Sequence, residues 1–326
     1  MKRFCYLLLI GLLAVSCGQE GMVKVNIDKA MRQRVSTRDL YKEVEVIPLH
    51  CPAGTALGQQ GRVVMDVTAD RFFLLDRTQN EVLVFDREGA YLTSIQSAAE
   101  IIDISVYQDR ILDVLTAESV AEYATGDCSQ LAKYTFQNED VTLYSVARVD
   151  DDVIDIYGSK EGTAYDCSYL VSQSRFFSLK RYNPYQLAYV PAEEYRNSRF
   201  FRSGDATWGF LSRSGEIDRF YKDGFISPSH FWDFGKWTPT FTNVQRKDDR
   251  IYFAYEADGQ EGVLVYDLAR KSGKAISQTV EGLAFPLGVI YAGSNYFCCS
   301  AKDLSRYLPP DRLKGDDGLV MLRFAL

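Results

Sequence analysis

Short apolar runs, each bounded by turn-forming residues, recur along almost the whole chain. The clearest unit spans residues 67–92, where an Asp-containing turn, a polar linker and a Glu-Gly turn separate three apolar runs. Residues 248–267 repeat this order of turn, run and linker. The runs are rich in β-branched and aromatic residues and helical periodicity is scarce, so the pattern predicts an all-β protein.

The turns recur at a nearly constant spacing. Six turn positions are 39, 43, 53, 44 and 45 residues apart: Asp70, Asp109, Asp152, Asp205, Asp249 and Ser294. Such intervals match the length of one four-stranded propeller blade. We therefore predict a six-bladed β-propeller of four-stranded antiparallel blades, with an insertion at about residues 174–198 that projects from the third or fourth blade. Two packed sandwiches would need a central linker, and no Pro/Gly/Ser-rich stretch is present there.

The two ends of the repeat region are strand-like. Residues 43–49 precede the first full unit, and residues 318–324 lie near the C-terminus. An open sheet edge in a terminal blade would invite aggregation. We therefore expect these N- and C-terminal strands to share one blade and close the ring, within a single propeller domain of residues 39–326.

The first seventeen residues carry an export signal. Lys2 and Arg3 precede a short apolar stretch that ends in small residues before Cys17. The stretch is too short to span a bilayer, and it resembles a bacterial lipoprotein signal, which implies that residues 1–17 end at a cysteine carrying lipid, including palmitate. An ordinary secretory signal with a chance cysteine is the alternative. Residues 18–38 are then predicted as a tether, and Gly18 at the next position favours the outer membrane.

Several segments together carry a family resemblance. The chain resembles the six-bladed β-propeller lipoproteins of Bacteroides-type bacteria, which are similar in shape to NHL-like propellers. The segments are residues 39–49, 72–76, 82–89, 200–204, 233–236 and 316–320. The resemblance implies a cell-envelope lipoprotein that acts as a binding or interaction module, with a glycan, a peptide or an envelope protein as its partner.

Composition narrows the function classes. Removal of Lys2 and Arg3 leaves 35 basic against 44 acidic residues, a formal charge of −9. Nucleic-acid binders normally carry a basic surplus, so we expect no nucleic-acid partner. After Cys17 no apolar stretch approaches membrane-spanning length, and the expected membrane contact is the lipid anchor alone.

Catalytic signatures are scarce. His50 and His230 are the only histidines, and His50 and Cys51 would face opposite sides of a strand. No metal-ligand spacing is present, although carboxylates could still hold calcium in a channel. We predict no catalytic residue, no metal site, no cofactor and no enzyme activity. The alternative is a propeller hydrolase that acts on glycans through paired carboxylates.

Five cysteines follow Cys17: Cys51, Cys128, Cys167, Cys298 and Cys299. We expect mainly buried free thiols that behave as small apolar side chains, while one disulfide between distant cysteines stays possible. The adjacent pair should point to opposite faces of a strand.

Aromatic residues give the candidate binding site. Aromatic faces suit sugars, peptides and protein partners, and the candidates are Tyr182, Tyr185, Tyr189 and Tyr195 in the insertion with Trp208 behind it. The alternative is that these rings pack between blades.

Overall fold

The computed structural model describes most of the chain from Met22 onward. The described residues are 22–31, 35–55, 57, 63–135, 141–160, 163–173, 175–181, 199–204, 206–210, 217–220, 226–312 and 318–326. Their regular secondary structure consists almost entirely of β-strands. No helix among them is long and apolar enough to cross a membrane.

The described chain begins with three short elements and continues with six sheets. The first elements are β1 (Met22–Lys24), α1 (Ile27–Met31) and β2 (Glu43–Leu49). Blade 1 contains β3 (Met65–Val67), β4 (Arg71–Asp76), β5 (Glu81–Asp86) and β6 (Tyr91–Gln96). Blade 2 contains β7 (Ile101–Tyr107), β8 (Ile111–Thr116), β9 (Ser119–Ala124) and β10 (Gln130–Thr135). Blade 3 contains β11 (Thr142–Arg148), β12 (Val153–Lys160), β13 (Thr163–Leu170) and β14 (Arg175–Arg181).

The second half of the ring follows the same plan. Blade 4 contains β15 (Arg199–Ser203), β16 (Ala206–Phe210), β17 (Ile217–Phe220) and β18 (Ile226–Asp233). Blade 5 contains β19 (Thr240–Lys247), β20 (Arg250–Ala257), β21 (Gln260–Asp267) and β22 (Ser272–Ile276). Blade 6 contains β23 (Val289–Tyr291), β24 (Ser294–Ser300) and β25 (Leu319–Ala325), with β2 as its fourth strand. Short 3-10 helices lie at Thr37–Asp39, Ala301–Arg306 and Pro310–Arg312.

The middle strands of a blade are buried on both faces. In β4, residues Phe72, Phe73 and Leu74 are all fully buried, although neighbouring residues of a strand point to opposite sides. The two faces of a blade pack against its two neighbouring blades. Its middle strands are therefore continuous apolar runs, without the alternation of apolar and polar residues seen in a half-exposed sheet. The outer strand β6 is mostly exposed or half-buried, because it borders solvent.

The inner strands form a closed ring. The first strands of the six blades contact one another in chain order, and β23 returns to contact β3. The predicted six-bladed propeller is therefore confirmed. The turns at Asp70, Asp109, Asp152 and Asp249 each lie between the first and second strands of a blade, and Ser294 begins β24.

Ring closure uses the two strand-like ends. β2 and β25 pair antiparallel over seven residue pairs, from Glu43 with Ala325 to Leu49 with Leu319. Immediately after β2, the His50 N–H donates to the Gly89 carbonyl of blade 1 at 2.9 Å. The shared blade expected from the sequence is present. The residue that follows β2 also binds blade 1.

The segment before β2 corrects one prediction. Residues 18–38 were expected to be a tether, but the chain is docked on the propeller from β1 onward. β1 pairs in parallel with β18 at the outer edge of blade 4, which makes that sheet five-stranded. α1 lies against β22 of blade 5, and the Val280 N–H donates to the Val35 carbonyl at 2.7 Å. We call residues 22–31 and 35–41 the N-terminal belt, because they follow the rim from blade 4 to blade 6.

Apolar burial explains why the belt is docked. Val25, Ile27 and Ala30 belong to the core between blades 4 and 5, and Val35 belongs to the core between blades 5 and 6. Most of the exposed residues that alternate with them are polar, including Asn26 and Asp28, whereas Met31 is 42% exposed. This alternation is too short to identify a strand or a helix from the sequence.

The predicted insertion is also narrower than expected. Residues 175–181 form β14, the outer strand of blade 3. In the sequence, only residues 182–198 of the predicted insertion therefore lie between blades 3 and 4. Residues 182–198 lie outside the described residues.

Cys298 and Cys299 pack as the alternation of a strand predicts. Cys298 is buried in the cluster between blades 6 and 1, and Cys299 is buried in the cluster between blades 5 and 6. Both are free thiols, as are the half-buried Cys51 and Cys128. The side chain of Cys167 lies outside what the structure describes.

Candidate functional site

A central channel of about 1590 Å³ runs through the ring and is lined from all six inner strands. Arg77 and Glu100 lie at the mouth where the inner strands begin, and Asp109, Lys247 and Tyr291 lie at the mouth where they end. Ligand sites commonly occupy such concave, preformed positions. The channel is therefore the candidate functional site.

Polar side chains of the channel wall bind the backbone of the following blade. Asp66 accepts a hydrogen bond from the Val106 N–H at 2.7 Å, which joins blades 1 and 2. Asp103 accepts from the Val146 N–H at 3.1 Å, which joins blades 2 and 3. Such bonds satisfy main-chain groups that an inner strand exposes at its free edge.

The same arrangement continues around the ring with uncharged side chains. Ser145 Oγ accepts from the Phe200 N–H at 3.2 Å, which joins blades 3 and 4. The Asn243 amide donates to the Gly288 carbonyl at 2.6 Å, and Gln245 Oε1 accepts from the Ile290 N–H at 3.1 Å, so blade 5 is joined to blade 6 twice. Much of the polar wall thus has a structural role.

One arginine crosses the channel. Arg202 Nη1, from blade 4, donates to the Val106 carbonyl of blade 2 at 2.9 Å, and the guanidinium lies 5.4 Å from the centroid of the Tyr107 ring. Arg202 Nε is buried and has no hydrogen-bond partner among the described residues. An uncompensated buried donor costs about 1–3 kcal/mol, so this part of the channel favours an acceptor such as water or a ligand oxygen.

Burial changes the acid–base behaviour of the channel. Burial raises the pKa of Asp66 to about 6, although the Val106 and Val67 N–H groups and Arg202 oppose this shift. Burial also raises the pKa of Asp103, against the opposing effect of Arg199. Burial lowers the pKa of Arg199 itself. Carboxyls and guanidinium groups therefore face one another in a poorly solvated space.

At the channel mouth where the inner strands end, side chains of different blades are in contact. The Tyr291 hydroxyl of blade 6 donates to Asp109 Oδ2 of blade 2, and burial, with a further contribution from Asp109, raises the pKa of Tyr291 to about 12. Lys247 Nζ of blade 5 donates to the Leu326 carbonyl at 2.6 Å. These contacts restrict the mouth at which they lie.

The charges of the lining almost cancel. Five basic and six acidic side chains line the channel: Arg77, Arg199, Arg202, Arg246, Lys247, Asp66, Glu100, Asp103, Asp109, Asp248 and Glu256. A nearly neutral lining gives little electrostatic preference for a strongly charged ligand. Uncharged polar and zwitterionic ligands suit it best.

Trp208, a predicted binding residue, lies in the core. Its side chain is 7% exposed within the cluster between blades 4 and 5, and the Arg246 guanidinium lies 4.6 Å from its ring centroid. The Arg219 guanidinium lies 5.8 Å from the same centroid, so the ring is already packed against protein groups. The four predicted insertion tyrosines, Tyr182, Tyr185, Tyr189 and Tyr195, lie outside the described residues.

The two histidines lie on different blades. His50 follows β2 at the junction of blades 6 and 1, while His230 is in β18 of blade 4 and stacks on Trp232. Burial, with Arg246 nearby, lowers the pKa of His230 to about 4. Within the described ranges, no group of three or more His, Cys, Asp or Glu side chains is arranged to hold a metal ion.

The sequence interpretation missed Asp66, Asp103 and Arg202 as channel residues. The available signal was a polar residue within the first strand of four blades, namely Asp66, Asp103, Ser145 and Asn243. A single polar residue of this kind cannot be distinguished from the ordinary alternation of a strand. Its importance follows only from its recurrence in several blades.

The closed ring of six sheets defines the protein as a six-bladed β-propeller. Residues 15–100, which include the whole belt, β2 and blade 1, match the model of a family described as 6-bladed beta-propeller. No curated protein matches the chain by sequence.

Solved structures share the fold at low identity. A Bacteroides fragilis protein described as exported is similar over 93% of this chain and 98% of its own, with a TM-score of 0.68 and 12% identity. A catalytically inactive virginiamycin B lyase of Staphylococcus aureus, solved with quinupristin, is similar over 87% of this chain and 100% of its own, with a TM-score of 0.51 and 12% identity. At these identities the similarity concerns the fold alone.

Proposed function

We propose that this protein is a lipid-anchored propeller of the bacterial cell envelope that binds a small polar ligand in its central channel. The lipoprotein-like signal ending at Cys17 supports the anchor and an outer-membrane location. The exported Bacteroides fragilis protein of the same fold supports an envelope location. The channel is the observation that carries the binding role.

The dimensions and charges of the channel define the ligand class. A volume of about 1590 Å³ exceeds the roughly 300–1,000 Å³ of ordinary ligand pockets, so several sugar rings or amino-acid residues would fit. The nearly balanced lining favours a neutral oligosaccharide or a zwitterionic peptide over a polyanion. Arg202 Nε supports a ligand, or a ligand-bound water, that offers an oxygen atom.

Binding is favoured over glycan hydrolysis by what the buried carboxylates already do. Both oxygens of Asp66 accept main-chain N–H groups, from Val67 at 2.8 Å and from Val106 at 2.7 Å. A general acid or nucleophile must instead reach the scissile bond. Asp66 and Asp103 therefore support a structural role in a binding site.

The test is direct binding with a channel-mouth variant. Protein without the signal, with Cys17 replaced by Ser, is titrated calorimetrically with neutral oligosaccharides, zwitterionic peptides and polyanions. For the ligand that binds, Arg77→Gln at the channel mouth should weaken the affinity several-fold. Arg270→Gln, on an exposed side chain of blade 5, is the matched control and should leave the affinity unchanged. Equal affinity in both variants, or binding of polyanions alone, would contradict the proposal.

A further inference from the structure

We infer that a cleft between blades 5 and 6 extends the channel site, and that the two together bind a linear neutral oligosaccharide. The cleft has a volume of about 690 Å³, within the roughly 300–1,000 Å³ of ordinary ligand sites. The proposed channel site is a premise of this inference, which adds a ligand class and the direction in which the ligand leaves the channel.

The cleft adjoins the channel at Glu256. The Glu256 side chain lines both spaces, and Glu256 pairs with Thr240, the first residue of the inner strand β19. The cleft therefore lies beside the channel mouth where the inner strands begin, the mouth that also carries Arg77. Arg306, from the 3-10 helix that follows β24, lines the side of the cleft that belongs to blade 6. A chain-like ligand in this mouth can thus continue outward between blades 5 and 6.

The lining of the cleft consists mainly of hydrogen-bonding groups. Two amides, two carboxylates, a hydroxyl and a guanidinium contribute to it: Gln260, Gln278, Glu256, Glu261, Ser277 and Arg306. Ala284 is the one apolar side chain among the described residues of this lining. Sugar hydroxyls both donate and accept hydrogen bonds, so a mixture of donors and acceptors suits a glycan. The apolar side chains of a peptide would find little surface to pack on.

The two carboxylates of the cleft face each other across the hairpin of β20 and β21. Glu256 and Glu261 are directly opposed in the strand register, which is unfavourable for like charges. Arg306 Nη2 lies 3.6 Å from Glu261 Oε2, but both side chains of this pair are exposed, so the compensation is weak. Sugar hydroxyls can donate short, charge-assisted hydrogen bonds to these carboxylates without bringing another charge into the cleft.

One wall of the cleft is held by the N-terminal belt. Residues 277–288 connect β22 to β23 and supply part of the lining. In this connection, the Val280 N–H donates to the Val35 carbonyl at 2.7 Å, and Glu281 Oε1 accepts from Ser36 Oγ at 2.8 Å. The wall is therefore fixed before a ligand arrives, which lowers the entropic cost of binding.

The dependence of affinity on ligand length tests the inference. Protein without the signal, with Cys17 replaced by Ser, is titrated calorimetrically with malto-, cello- and xylo-oligosaccharides of two to eight sugar units. In the series that binds, the longest members should bind at least several-fold more tightly than the disaccharide, because only they reach from the channel mouth into the cleft. Their affinity should change little with salt, because no ion pair with the ligand is formed.

A variant of the cleft locates the added binding. Gln260→Ala combined with Gln278→Ala should weaken binding of the longest oligosaccharide about tenfold, as expected for the loss of two hydrogen-bonding groups, and should leave the affinity for the disaccharide unchanged. Both glutamines are exposed, so this variant should fold normally. Gln79→Ala combined with Gln96→Ala, at exposed positions of blade 1, is the matched control and should leave all affinities unchanged.

Equal affinity for long and short oligosaccharides, or unaltered long-chain binding in the Gln260/Gln278 variant, would overturn the extended site. Arg77→Gln separates this result from failure of the channel site, because it should weaken binding of both lengths. If Arg77→Gln alone has an effect, the channel site stands and the cleft does not; if neither variant has an effect, both are overturned. Failure of all three series to bind would overturn the inferred ligand class, and binding of zwitterionic peptides in their place would leave the channel site intact.

Discussion

Arg148 and Asp113 form a bidentate ion pair in the core between blades 2 and 3. Arg148 Nη2 and Nε lie 2.9 and 3.2 Å from the two oxygens of Asp113, and neither side chain is more than 1% exposed. Arg148 Nη2 also donates to Glu122 Oε1. One guanidinium thus compensates two buried carboxylates, and the carboxylates depend on it.

Replacement of Arg148 by Met should destabilise the protein by about 3–5 kcal/mol, because removal of one partner leaves uncompensated buried charge. Urea unfolding monitored by tryptophan fluorescence measures this loss. Glu45→Gln is the control, since it removes an exposed pair with Arg323 at 3.1 Å and should cost no more than about 1 kcal/mol. Equal losses in the two variants would contradict the assigned role of Arg148.

Asp66 should make stability depend on pH. Its pKa is raised to about 6 in the folded protein, against about 3.9 in an unfolded chain. The folded state therefore holds the proton more tightly between about pH 4 and 6, and this contribution to stability is lost as the pH rises through that window. Relative to Asp66→Asn, the wild-type protein should lose about 2–3 kcal/mol between pH 4 and pH 7.

The measurement is the unfolding free energy of both proteins at several pH values. Subtraction of one curve from the other removes the contributions of carboxyls common to both, including Asp103 and Asp113. Parallel curves would contradict the raised pKa of Asp66.

The belt should loosen when one of its buried side chains is truncated. Ile27→Ala removes a side chain of the core between blades 4 and 5 and should cost about 2–4 kcal/mol. Hydrogen exchange should show faster exchange of the Val25 amide, whose hydrogen bond joins the belt to Asp233. Lys29→Ala changes an exposed position of the same helix and should leave exchange unchanged. Unaltered Val25 protection in Ile27→Ala would indicate that this side chain does not hold the belt.

Gly89 should be intolerant of a side chain at the closure of the ring. It has a φ of +89°, and an added Cβ would lie 2.0 Å from the Pro48 carbonyl oxygen of β2. Gly89→Ala should therefore combine backbone strain of about 1–3 kcal/mol with displacement of the closing strand. Gly54, with a φ of +91° and open space around its Cβ position, is the matched control, because Gly54→Ala carries the strain alone. Thermal unfolding should separate the two variants clearly, and equal shifts would indicate that the contact with Pro48 is relaxed without cost.

By itself, the sequence determined the class of fold, the number of blades and the way in which the ring closes. Asp70, Asp109, Asp152 and Asp249 mark turns whose chemistry is local, and strand alternation is local too, so both are visible without a structure. The pairing of the strand-like segments at residues 43–49 and 318–324 was predictable because a propeller must cover its sheet edges.

Tertiary structure alone decided the position of the belt, the identity of β14 and the composition of the channel. β1 has three residues and depends on pairing with β18, about two hundred residues later, so it carries no local signal. β14 belongs to blade 3 through its antiparallel pairing with β13, and its seven residues alone do not reveal that pairing, so residues 175–181 were predicted as insertion. Arg202 and Val106 meet across the channel only because blades 4 and 2 both border it in the closed ring. Contacts between distant segments depend on blade order and twist, which no short stretch of sequence encodes.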